Sequence, residues 1–71
     1  MVKVSSISAV NPTLMEADVF LIADTKNEVT NDPKDVVGMP DGYSFAFGSK
    51  VMTTNKEVAI LKSDGTWNWG V

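Results

Sequence analysis

The chain has 71 residues, so it forms one domain (1–71) at most and buries only about 60% of the surface its unfolded form exposes. Cysteine and histidine are both absent, which excludes disulfides, cysteine nucleophiles, histidine-dependent triads and zinc held by thiolate or imidazole. The net charge is −3, and the basic residues are six scattered lysines (Lys3, Lys26, Lys34, Lys50, Lys56, Lys62), so the basic patch that displaces counterions from a nucleic acid is missing.

A core this small contributes roughly 3–5 kcal/mol, and small folds usually add a disulfide, a metal or another chain. With the first removed and the zinc ligands missing, self-association or docking on a partner is the expected supplement. The longest apolar run, Val19 to Ala23, is far short of the ~20 residues that span a bilayer. No charged-then-apolar leader opens the chain. A soluble protein with no membrane partner is expected.

Val2 to Val10 is rich in β-branched residues. Val2 and Val4 share one pleat face and Ile7 the other, so a strand with a bulge or bend near Ser5 and Ser6 is expected. Asn11-Pro12 stops it, because proline has no N–H to donate. Thr13 to Asp18 fits either one helical turn or the approach to the next strand. Asp18 to Asp24 is apolar at consecutive positions between acids, the pattern of a central strand covered on both faces, with Phe20, Leu21 and Ile22 dominating the core. In Asn31-Asp32-Pro33, Asp32 suits an N-cap and Pro33 the first helical position, so at most one short helical turn is expected over 33–37.

From Gly38 onward the chain reads as β. Pro40-Asp41-Gly42 is turn chemistry. Tyr43, Phe45 and Phe47 alternate with Ser44, Ala46 and Gly48, giving one aromatic and one small face. Strand-like Lys50 to Thr54 and Glu57 to Lys62 flank Asn55-Lys56, where Asn55 is expected in the left-handed conformation. Glu57 to Lys62 and Thr66 to Trp69 flank Ser63-Asp64-Gly65, and Asp64-Gly65 is a preferred primed-turn pair. The expected fold class is mostly β, either small all-β or α+β, with an antiparallel meander of about four or five strands.

The acids Asp24, Asp32, Asp35, Asp41 and Asp64 sit at turns and strand ends, where capping explains them without catalysis. Asn31, Asp32 and Asp35 form no complete calcium ligand set, and no Gly-rich phosphate loop occurs. No enzyme, metal or cofactor is expected. Trp67-Asn68-Trp69 places both indoles on one strand face, beside Tyr43, Phe45 and Phe47. Three readings of these rings stay open: cross-strand core pairs, a subunit interface, or a stacking platform for a glycan with Asn68 and Asn55 nearby.

The stretch Gly48-Ser49-Lys50-Val51, then Thr53 to Trp67 ending in Ser63-Asp64-Gly65-Thr66-Trp67, resembles the C-terminal ends of small bacteriophage and prophage virion-associated structural proteins of the head, head fibre or tail. Ala23-Asp24-Thr25-Lys26 and the turn from Gly38-Met39-Pro40 to Gly42-Tyr43 look similar in that setting, and the likeness lies mainly in 38–69. It implies a non-catalytic structural or interaction module, made in a bacterial host cytoplasm and residing in the virion. Its implied partners are itself, as a homo-oligomer, and other virion proteins. The rival expectation is a carbohydrate-binding module on Trp67, Trp69 and Tyr43. A small regulator of a host enzyme is a third, without a motif of its own.

Overall fold

A computed structural model describes residues 1–70. Seven strands form one sheet: β1 Val2–Asn11, β2 Glu16–Ala23, β3 Val36–Val37, β4 Ser44–Phe45, β5 Lys50–Thr53, β6 Val58–Leu61 and β7 Trp67–Trp69. They run in the order β3-β1-β2-β5-β6-β7, with β4 also pairing with β2. The chain is therefore mostly β, as its composition predicts, but the sheet is mixed. Hairpins β1-β2, β5-β6 and β6-β7 are antiparallel, whereas β1-β3, β2-β4 and β2-β5 are parallel. The expected pure antiparallel meander holds only for β5 to β7. A parallel neighbour needs a long crossover, and residues 24–49 supply it. The alternation of Tyr43 to Phe47 inside that crossover does not say which strand it joins, which is why the connection is invisible in a residue-by-residue reading.

Strand β2 is central, but only one of its faces is packed. Ala17, Val19, Leu21 and Ala23 are buried, and the alternate Glu16, Asp18, Phe20 and Ile22 are half-buried. The expectation of a strand covered on both faces is corrected here: the crossover lies over one face, and among the described residues no second layer lies over the other. The core is Val2, Ala17, Val19, Leu21, Ala23, Val36, Phe45, Val51, Ala59 and Leu61, with Val4, Val29, Met39, Tyr43, Trp67 and Trp69 packed around it. Leu21, fully buried, contributes roughly 1.5–3 kcal/mol of transfer free energy.

In β1 the register shifts between Val4 and Ser6, the site of the expected bulge, and again between Ile7 and Ala9. The first shift turns Ile7 back onto the face of Val2 and Val4, since Val4 stands opposite Leu21 and Ile7 opposite Val19. The residues after Pro12 form a turn, and the strand resumes at Glu16.

The crossover contains two 3-10 turns, Lys26–Glu28 and Pro33–Asp35, where one helical turn is expected. The second starts as its sequence predicts, with the Asp32 carboxylate accepting the Lys34 N–H at 2.9 Å and Pro33 leading. The first is held by Glu28, whose carboxylate accepts both the N–H and the hydroxyl of Thr25. The aromatic alternation of Tyr43 to Phe47 yields a strand only at Ser44–Phe45. Ser44 donates its N–H to Met15 O and Ala46 to Ala17 O, after which the chain breaks away before pairing again at Lys50.

Both C-terminal hairpins close differently from expectation. In the β5-β6 loop the left-handed residue is Lys56 at φ 63°, one position after Asn55, because the loop has three residues and its last takes that conformation. In the β6-β7 loop only Gly65 has positive φ, 88°, so Asp64-Gly65 is no primed pair. Gly65 N–H donates to Lys62 O and Lys62 N–H to Thr66 O, again a three-residue loop whose last position favours glycine.

Candidate interaction surfaces

Trp67 and Trp69 stand opposite Leu61 and Ala59 on β6, so both indoles point to the packed face. The crossover packs against them and leaves both half-buried. Trp67 meets Phe45 edge-on, with ring centroids 5.9 Å apart, and its Nε1–H donates to Thr30 O at 3.2 Å. The Lys26 ammonium lies 5.3 Å from the centroid of the Trp69 ring. Asn31 Nδ2 donates to Gly65 O, tying the crossover to the last hairpin at a second point. Phe45 is core, Tyr43 is half-buried at the margin, and Phe47 is 73% exposed beyond the end of β4. The five rings thus do not share one open surface. Four border or join the core, and Phe47 stands apart.

Tyr43 lines a shallow groove of about 370 Å³ with Pro33, Val36, Met39 and Pro40, bordered by Asp32 and Asp41. Lys34 and Ser44 complete its polar margin. Among the described residues no group of three or more acids is placed to hold a metal ion, and no helix is long and apolar enough to cross a membrane.

The residue that sequence reading missed is Ser49. Its side chain is fully buried between β2 and the break separating β4 from β5. Ser49 Oγ donates to Ala46 O at 2.7 Å and accepts the Val19 N–H at 3.2 Å, replacing the ladder bond that β4 and β5 fail to provide there. Its backbone meanwhile serves β6: Leu61 N–H donates to Ser49 O and Gly48 N–H to Leu61 O. A serine after a glycine in a loop carries no signal of that task.

Two surfaces remain open. The first is the outer face of the sheet. Cross-strand register sets Val37, Lys3, Ile22, Met52 and Val58 in one row and Ser6, Phe20, Lys50, Ile60 and Asn68 in the next. Six apolar side chains therefore lie together on the face opposite the core, flanked by the exposed Lys3 and Lys50, with Met52 36% exposed. The second is the free side of β1, which β3 covers only at Val2 and Lys3.

The perturbed carboxylates belong to structure. Hydrogen bonds from the Met1 ammonium and from the Thr25 N–H lower the Glu28 pKa. Asp64 is likewise held below its ordinary value, by the Thr66 hydroxyl and N–H first and by Lys62 after them. No family model, curated protein or solved structure matches the chain.

Proposed function

We propose that the chain is a non-catalytic structural module of a phage or prophage particle, docking on a capsid, fibre or tail protein through the outer face of its sheet. The observation that carries this reading is the apolar face left without a layer: Phe20, Ile22, Val37, Met52, Val58 and Ile60. A sheet normally turns such a row toward another layer, and a solvated face normally alternates to polar residues. Lys3, Lys50 and Asp18 border this face and favour a partner with an apolar patch and a rim of both charge signs. The virion setting is supported by the likeness of residues 38–69 to small virion proteins. The glycan reading has less support, because the half-buried Trp67 and Trp69 are engaged by Phe45, Thr30 and Lys26.

The test is mass spectrometry of purified particles from cells expressing the parent chain or Met52→Glu. The parent is expected in the particles at a fixed multiple copy number. Met52→Glu is expected to fold, since this side chain is partly in solvent, and to be depleted from them. Absence of the parent chain from particles would reject the reading.

A further inference from the structure

We infer that the free side of β1 is a self-association edge, on which a second copy of this chain lays its own β1 antiparallel along Ser5–Val10, so that one sheet continues across a two-fold axis. The inference rests on the reading of the chain as an interaction module and not on its virion setting.

Four observations converge on β1. Strand β2 pairs along one side of it as far as Asn11, whereas β3 takes only Val2 and Lys3 on the other, so backbone groups beyond Lys3 face outward without a strand among the described residues. The same stretch is electrically blank. From Val4 to Met15 no residue is charged, the longest such run in a chain of net charge −3. Two copies of an acidic chain can approach along it without setting like charges opposite each other, and a charged partner finds nothing there to pair with. Ile7 and Val10 stand 41% and 48% exposed on the packed side of β1, opposite Val19 and Ala17, so a strand added here extends the core rather than only the ladder.

The two register shifts select the occupant. Bulges bend a strand, and a flat foreign strand follows a doubly bulged edge poorly. A copy related by a two-fold axis normal to the sheet bends toward the same face, so its β1 follows the same curve. Centring the axis between Ile7 and Ser8 sets Ile7 opposite Ser8 of the second copy, Ser6 opposite Ala9 and Ser5 opposite Val10. Each β3 then lies at one end of the shared pair and obstructs neither copy.

One strand pair buries less than the standard interface of about 1,600 Å², so the dimer is expected in the micromolar to submillimolar range. Sedimentation velocity on the full chain over that range reads it directly. Ser8 is exposed, and Ser8→Lys brings one ammonium from each copy to the axis, so the dissociation constant is expected to rise about tenfold or more. Ser8→Glu should do the same alone, and an equimolar mixture of the two variants should dimerise again, which also shows that both are folded.

A parent chain that stays monomeric throughout this range overturns the inference. So does association that survives Ser8→Lys and is lost in Met52→Glu, which places the contact on the outer face. A monomer that still enters particles rejects self-association while leaving the module reading intact.

Discussion

Ser49 occupies the place where β2 passes from β4 to β5, and its hydroxyl accepts the Val19 N–H at that break. Ser49→Ala keeps nearly the same volume but leaves Val19 N–H buried without an acceptor, at a cost of about 1–3 kcal/mol. Chemical denaturation of the two proteins measures it, and an unchanged midpoint would show that the strand break closes on its own. Asp64 makes a pH-dependent contribution at the opposite, exposed end. Its folded pKa lies below the ordinary 3.8, so the unfolded chain takes up its proton first. The stabilisation is therefore complete above that ordinary value and lost as pH falls through the folded one. Thr66→Val removes the hydroxyl that lowers the pKa most, and an NMR titration of the Asp64 carboxyl should then shift upward toward 3.8.

At the scale of elements, the crossover is fastened to the last hairpin by few and specific ties. Trp67 Nε1–H to Thr30 O is the one that a conservative change can sever. Trp67→Phe keeps an aromatic ring against Phe45 and removes that bond, at a cost of roughly 0.5–1.5 kcal/mol. Amide exchange should accelerate over residues 26–35 while β1 and β2 keep their protection, and uniform acceleration would contradict a local fastening. The hairpins that this crossover joins were legible in sequence because their signals are local. Asn11-Pro12 ends β1, Ser63-Asp64-Gly65 turns β6 into β7, and Asp32-Pro33 starts a 3-10 turn. The parallel pairing of β2 with β5 was not legible, since Phe20 meets Lys50 and Leu21 meets Val51 across thirty positions with no local cue. The candidate surfaces divide in the same way. The indoles of Trp67 and Trp69 do share a face, as period-two spacing requires, but which face the crossover covers depends on where residues 24–49 fall. The apolar outer row was hidden inside the consecutive Phe20-Leu21-Ile22, which reads equally well as a strand buried on both sides.

For the whole molecule, one packed face must support seven strands, and its interior side chains are mostly alanine and valine with two leucines and one phenylalanine. Small side chains bury little apolar area each, and with no cysteine in the chain no disulfide supplements them. Stability of the single chain is then modest, and any added layer or strand raises it by mass action. A copy seated on β1 stabilises the folded state by about 1.4 kcal/mol when its concentration exceeds the dissociation constant tenfold. For a domain this small, each kcal/mol moves the unfolding midpoint by roughly 4–8 °C. Thermal unfolding of the parent chain should therefore shift upward by about 5–10 °C between dilute and concentrated solution. Ser8→Lys should unfold near the dilute midpoint of the parent at both concentrations, because its exposed side chain costs the monomer little. A concentration-independent midpoint in the parent chain would mean that β1 remains an open edge, protected from indiscriminate pairing by its two bulges, and that the missing layer is supplied by another protein on the outer face.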